Sequence, residues 1–525
     1  MSATITRRIA RSTGIISATT AFSRVLGFIR DLIMARLFGT LIEAQAFVVA
    51  FRLPNLFRDL VGEGAMASAV VPVLSTYRAR NRPEEFWSLS QAVLTQLCVA
   101  LCLLGALGVV AAPQIVRLIA PGFASDPEKF ALTVLLTRIL FPFITLAGLW
   151  AFFMGLLNTL HHFAVPALGP AILNVAMLAA CAWFAPAARP AIIALSVAVL
   201  IGGLLQVLIQ LPVAARLGFR WGWRWRHPGS PEILRLLGPR MVGSAVYQVN
   251  VLVDTALASI SSVVGEGAVA VIYFANRFVQ LPLALFGSAA AQASLPSLSE
   301  RAGAEDLPGF GAILSSVLRM VLFVVLPSAA GLVVLSYPIV HGLFEYGAFD
   351  ARATQMTSQT LAYYALGLGG YSLNKIFTGA FYALRDTRTP VRLAAETVLL
   401  NIVLCLALMW PLRVGGLALA SAISSTVNAG RLAQRLEQRL GMRLLQPLFD
   451  PALRMALASV LMGAACRLAW TLGGLERHPW AGLLFVIGFG VVVYGAACRL
   501  LRVQELATAW RWARQIPLVQ TFVGE

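Results

Sequence analysis

"AFSRVLGFIRD", residues 21–31, sits inside an apolar run that begins near Thr13 and extends for about 25 residues. That length crosses about 30 Å of hydrocarbon at 1.5 Å per helical residue. Yet the stretch carries Arg24, Arg30 and Asp31. A charge at the bilayer centre costs about 2.5–3.5 kcal/mol on insertion scales, so charged residues there face a wet cavity, find a partner or snorkel to an interface.

Outward from this stretch the chain has the same character. Its 525 residues are 59% hydrophobic and 12% charged, with a mean hydropathy of +0.79. A soluble chain is nearer 45–50% apolar and about 25% charged. Apolar runs of spanning length recur from end to end, and no segment is long and polar enough to form a separate soluble domain. The class is an all-α polytopic membrane protein. The pattern predicts fourteen helices, at about 13–37, 43–76, 88–112, 130–157, 162–185, 190–215, 232–262, 268–299, 311–336, 355–383, 391–411, 415–438, 452–474 and 481–503. The basic start "MSATITRRIARSTG" imitates a signal peptide but lacks a small-residue cleavage site, so we read it as leading into an uncleaved first helix.

The net charge is +18, and every basic residue except Lys129 and Lys375 is Arg. The arginines crowd alternate loops (Arg7, Arg8, Arg11; Arg78, Arg80, Arg82; Arg216, Arg220, Arg224, Arg226; Arg385, Arg388, Arg392; Arg431, Arg435, Arg439, Arg443). The positive-inside rule therefore puts both termini in the cytoplasm. "RWGWRWRHPG" (220–229) interleaves Trp with Arg; between two spans it reads as an aromatic belt facing anionic lipid rather than a nucleic-acid site. "ELATAWRWARQ" near the C-terminus reads as a surface amphipathic helix. Six cysteines lie in apolar runs without a CxxC or a Cys/His cluster, which argues against zinc and against a disulfide framework.

The chain repeats itself. "AMASAVVPVLS" (65–75) matches "AAAQASLPSLS" (289–299), and "GLLNTLHHFAVP" (155–166) matches "GAFYALRDTRTP" (379–390), both at an offset of 224 residues. Six helices per offset is an even number, so the repeat is parallel. The expected organisation is a six-helix lobe over 1–220, a second over 221–445, and two added helices with a cytoplasmic tail over 446–525. Two such lobes form a transporter arrangement, with substrate sites near the midplane.

Charged residues within the spans are the candidate site. Unmatched arginines in an apolar-walled cavity favour an anion, and the guanidinium fork matches phosphate oxygens. The expected substrate bears phosphate or pyrophosphate and is linked to lipid. Asp31, Glu63, Asp254, Lys375 and Glu396 are candidates for cavity polarity or for an H+ or Na+ coupling site; membrane potential is the other candidate driving force. "GEGAMA" (62–67) and "GEGAVA" (265–270) fit a dinucleotide fingerprint but follow no strand. There is no nucleophile elbow, Walker loop or HExxH, so neither an enzyme, a cofactor nor a metal is expected.

"FSRVLGFIRD" (22–31), "FRLPNLFRDLVGEGA" (51–65), "IAPGFA" (119–124), "LPSLS" (295–299) and "FYALRDTRTPV" (381–391) together resemble the bacterial MurJ (MviN) lipid II flippases of the multidrug/oligosaccharidyl-lipid/polysaccharide exporter superfamily. The resemblance implies fourteen helices, a V-shaped pair of lobes and a tail groove near helices 13 and 14. It implies an inner-membrane protein that moves undecaprenyl-pyrophosphate-linked peptidoglycan precursor from the cytoplasmic to the periplasmic leaflet, with other cell-wall synthesis proteins as partners. Its cavity arginines fall on Arg24, Arg30, Arg58 and Arg277. The chain departs from the family at Gln45 and Gln280, where acids are common, and Asn276 precedes Arg277. Rival readings are an exporter of another lipid-linked oligosaccharide and a non-transporting cell-wall scaffold.

Overall fold

A computed structural model describes residues 2–60, 66–80, 82–184, 188–475 and 479–507. Among them every regular element is helical. The order is α1 (Ser2–Phe38), α2 (Ile42–Leu60), α3 (Met66–Ala79), α4 (Pro83–Val110), α5 (Ala112–Ile119), a 3-10 turn (Pro121–Ser125), α6 (Pro127–Leu140), α7 (Phe143–Thr159), α8 (Ala164–Ala167), α9 (Gly169–Phe184), α10 (Ala188–Leu208), α11 (Leu211–Arg216) and α12 (Ser230–Ala258). There follow α13 (Ser261–Val264), α14 (Ala268–Pro282), a π turn (Leu283–Ser288), α15 (Ala289–Gly303), α16 (Leu307–Val334), α17 (Ser336–Phe344), α18 (Ala351–Leu366), α19 (Leu368–Ala383), α20 (Arg388–Leu412), α21 (Val414–Leu440), α22 (Gln446–Leu472) and α23 (Pro479–Leu500).

Each of the fourteen predicted stretches is helical over most of its length, but several are divided. The fourth breaks at Phe141–Pro142, where proline has no N–H to continue the ladder. The tenth breaks at Gly367, and the eighth contains the π turn. The predicted loops at 112–130 and 336–355 hold α5 and α17. Nine helical stretches among the described residues are long and apolar enough to cross a membrane. The stretches bearing the candidate charges in α1 and α2 are not among them, because those charges lower their hydropathy.

The repeat is written into the element boundaries. Residues 83–110 and 307–334 are helices of equal length. α6 begins at Pro127 and α18 at Ala351; α7 ends at Thr159 and α19 at Ala383. Asp126 and Asp350 cap α6 and α18 identically, each accepting the backbone N–H three residues on. The turns that follow both use a non-glycine residue with positive φ, His161 (63°) and Arg385 (58°). All these pairs are 224 residues apart.

Two compact units are present. The first comprises Met1–Ser262, Glu266–Ala270 and Tyr346–Phe349. Within it α1 lies along α9, α2 against α6, α3 against α7, and α9 against α10. Phe86, Leu89, Phe152, Phe153, Leu156 and Leu157 centre its core. Lipid offers helices no hydrophobic drive to associate, so close backbone approach counts. Gly122 is one such point: a Cβ there would stand 2.1 Å from the Ser259 carbonyl oxygen, and its N–H donates to Ser259 Oγ at 2.9 Å. α12, the repeat partner of α1, packs in this unit on α2 and α3. The second unit comprises Val263–Gly265, Val271–Glu345 and Asp350–Glu525. There α20 packs on α21, α16 on α22, and α22 on α23. Tyr494 donates its hydroxyl to the Phe323 carbonyl at 2.8 Å within a core that includes Met455, Met462 and Trp470. All six cysteines are free, and Cys102, on α4, is exposed.

Candidate anion site

α1 sorts its residues by face. Ser23, Gly27, Arg30 and Met34 fall at helical spacing on the side turned to α9. Arg30 is 8% exposed. Its Nε and Nη2 donate to Asp31 Oδ1 at 3.0 and 2.7 Å, and its Nη1 donates to Asn174 Oδ1 at 2.9 Å. Asn174 in turn donates to the Ser23 carbonyl at 3.0 Å. The buried charge of Arg30 is thus met by a carboxylate and an amide within the same unit. Arg24, on the neighbouring face, is exposed.

α2 carries the next group. Arg58 is half-buried and donates to Asp59 Oδ1 from Nε (3.2 Å) and Nη2 (2.8 Å); Asn55 supports Asp59 from the preceding turn at 3.3 Å. Arg52 donates to Thr255 Oγ1 on α12 at 3.0 Å, and Asp254, buried, is the residue before it. The structure therefore puts Asp254 in the first unit, with Arg24, Arg30 and Arg58, although the repeat assigns it to the second lobe. Glu63 lies outside the described residues.

In the second unit Arg277 is held by its own helix. Its Nη2 donates to the Tyr273 hydroxyl at 2.8 Å, its guanidinium lies 4.5 Å from the centre of that ring, and Nη1 reaches Gln280 Oε1 at 3.5 Å. These partners stand four residues before and three after it, on one face. Both are neutral groups that orient the guanidinium. The π turn begins six residues on, at Leu283; such turns are frequent at functional sites. Lys375 is exposed on α19. Glu396 accepts from Arg392 at 3.1 Å and also pairs with Arg431, joining the arginine-rich ends of α20 and α21. Asp386, in the "LRDTRTP" turn, accepts from the N–H and hydroxyl of Thr389 and pairs with Arg439. Burial alone would raise that carboxyl; these bonds hold it below the usual carboxylate range.

The described geometry brings Arg30 to Asp31 and Arg58 to Asp59, and leaves Glu396 to the basic helix ends. Sequence reasoning missed Asn174, Thr255 and Tyr273. Asn174 is a lone amide in the apolar run "AILNVAML", which is the signal that could have found it.

A family model described as "Lipid II flippase MurJ" matches residues 34–489. The chain belongs to the MurJ lipid II flippase family. It is 36% identical to the lipid II flippase MurJ of Burkholderia cenocepacia over 392 residues, covering 74% of this chain and 75% of that one. It is 33% identical to the probable lipid II flippase MurJ of Vibrio cholerae over 527 residues, covering 96% and 99%. Among solved structures it is similar to a lipid II flippase MurJ in an inward closed conformation, with a TM-score of 0.79, 27% identity, and coverage of 94% and 99%. An inward-facing multidrug resistance transporter of the MATE family shares the fold, with a TM-score of 0.67 at 14% identity and coverage of 80% and 94%.

Two departures from the MurJ pattern have physical counterparts. Gln45 is buried and donates Nε2 to the Thr40 carbonyl at 3.0 Å, closing the turn between α1 and α2. A carboxylate there would have no hydrogen to donate. Gln280 serves Arg277 as a neutral acceptor.

Proposed function

We propose that this chain carries lipid II, an undecaprenyl-pyrophosphate-linked peptidoglycan precursor, from the cytoplasmic to the periplasmic leaflet of the bacterial inner membrane. The observation that carries this reading is the family match, which spans both halves of the repeat. Fourteen spans with both termini in the cytoplasm are the topology that fits the arginine-rich loops.

In this reading Arg24, Arg58 and Arg277 take the pyrophosphate oxygens during an alternating-access cycle, while the tail stays in lipid. Arg30, committed to Asp31 and Asn174, shapes the site and adds positive potential to it. Arg277 is the best prepared, because Tyr273 and Gln280 fix its fork before the anion arrives. Membrane potential, worth about 2.3 kcal/mol per charge per 100 mV, or an H+ or Na+ at Asp254 resets the cycle. Partners in cell-wall synthesis receive the product. The protein acts as a carrier and not as a catalyst.

The test uses cells depleted of their own lipid II flippase, with an external enzyme that cleaves lipid II at the outer surface. Wild type should restore cleavage, while Arg24→Ala and Arg277→Ala should abolish it with the protein still inserted. Full cleavage in both variants would overturn the arginine clamp. No restoration by inserted wild type would move the reading to another lipid-linked oligosaccharide.

A further inference from the structure

Residues 217–229, between α11 and α12, form no helix; they run as a strap along the first turns of α4. α4 fixes it from one side. Gln91 Nε2 donates to the Arg220 carbonyl at 2.8 Å and Gln96 Nε2 to the Trp225 carbonyl at 2.7 Å. Arg224 donates its N–H to Thr95 Oγ1 at 3.4 Å and its Nη1 to Ser88 Oγ at 3.2 Å. Phe219 is buried against Trp87, their rings 6.1 Å apart. At its far end the strap is fastened again, where His227 meets Tyr77 edge-on at 5.4 Å and Gln96 reaches Ser230 Oγ, in the first turn of α12, at 3.4 Å.

The strap's backbone is thus tied down, while its largest side chains are left outside. Trp221, Trp223 and Trp225 are 58%, 64% and 58% exposed. The Trp221 and Trp223 rings meet edge to face, 6.5 Å apart. Arg220, Arg224 and Arg226 are exposed among them, and residues 217–229 contain no acid. The nearby Glu85 is engaged by Arg82 at 3.0 Å. Exposed indoles beside guanidiniums, at the ends of the candidate spans Pro83–Val110 and Ala191–Arg216, match a surface whose outer layer is phosphate and whose next layer is hydrocarbon.

We propose that the 217–229 strap is a docking surface for anionic phospholipid headgroups, with its indoles in the interface and its arginines on the phosphates. Because the strap runs into Ser230, it also ties the start of α12 to the lipid surface. Each arginine near an anionic surface should enrich anionic lipid about fivefold.

The experiment places the full chain in nanodiscs of phosphatidylcholine with phosphatidylglycerol as the minor lipid. One lipid at a time is brominated. The strap's fluorescence is the difference between wild type and the Trp221→Phe, Trp223→Phe, Trp225→Phe variant. Brominated phosphatidylglycerol should quench the strap more than phosphatidylcholine brominated at the same mole fraction. The excess should fall at least about fivefold when Arg220, Arg224 and Arg226 become Gln. That variant keeps the indoles and the α4 ties made by Gln91, Gln96 and the Arg224 backbone N–H, losing the Arg224–Ser88 side-chain contact, and unchanged size-exclusion behaviour reports its fold. Equal quenching by the two lipids, or an excess that survives the arginine replacements, would overturn the proposal. So would strap indoles shielded from both lipids but bound by RNA or an acidic protein.

Discussion

Arg30→Ala and Arg24→Ala should fail in different ways. Arg30 is 8% exposed, and its removal takes away the hydrogen bonds to Asn174 and to Asp31, a carboxylate whose side chain is 2% exposed. Breaking a buried pair by deleting one partner costs about 3–5 kcal/mol. Arg24 is exposed, and its truncation should change stability by no more than about 0.5 kcal/mol. The assay is thermal unfolding of the detergent-purified chain, read beside lipid II cleavage in depleted cells. Arg30→Ala should unfold early and accumulate poorly. Arg24→Ala should unfold like wild type and yet fail to transport. Arg30→Met with Asp31→Leu should recover part of the stability, since replacing both partners by apolar groups removes the stranded charge. If Arg30→Ala unfolds with wild type, or if the double replacement is worse than the single one, the reasoning about the Arg30–Asp31–Asn174 cluster is wrong.

Three further outcomes follow from local geometry. Gly122→Ala should cost about 1–3 kcal/mol, because its Cβ would meet the Ser259 oxygen at 2.1 Å, whereas Gly303→Ala, with nothing within 4 Å, should be neutral or mildly stabilising; thermal unfolding compares them. Asp126→Ala and Asp350→Ala should each cost about 1 kcal/mol, because they cap equivalent helices in the same way; hydrogen exchange at the starts of α6 and α18 reads this, and a large inequality would count against equivalent caps. Burial holds the His227 imidazole below its usual pKa, with Arg224 adding to the effect and Glu85 opposing it. The folded strap therefore favours the neutral ring, and its stability should be whole above about pH 6.5 and fall below it. Exchange of residues 224–230, corrected for intrinsic rate, should rise between about pH 7 and about pH 5, and His227→Asn should flatten that rise.

The spans were legible because apolar length is a strong signal, and so was the repeat, because Pro72/Pro296 and Leu160/Leu384 keep its register. The breaks were less so. Pro142 was in plain sight, and glycine and polar residues already interrupted the stretch that breaks at Gly367, but the π turn at 283–288 lies in an apolar run that looks continuous. The arginines were legible as a set but not as individuals: four guanidiniums in apolar surroundings look alike until Asn174, 144 residues away, is seen to accept from one of them. Glu396 stands four residues after Arg392, a spacing that already allowed a helix-surface pair. Its second partner, Arg431, required knowing that α20 and α21 pack side by side.

The common register of 224 residues has a genetic meaning. Between α4 and the turn after α7, and between α16 and the turn after α19, neither half shows a net insertion or deletion relative to the other. The two segments are interchangeable parts cut to one length. A chain in which residues 83–159 and 307–383 changed places would keep its size and these element boundaries, while α1, α2 and α14 would keep Arg24, Arg58 and Arg277 where they are. Whatever such a shuffled protein could still do would belong to the shared scaffold, and whatever it lost would mark where the copies have specialised.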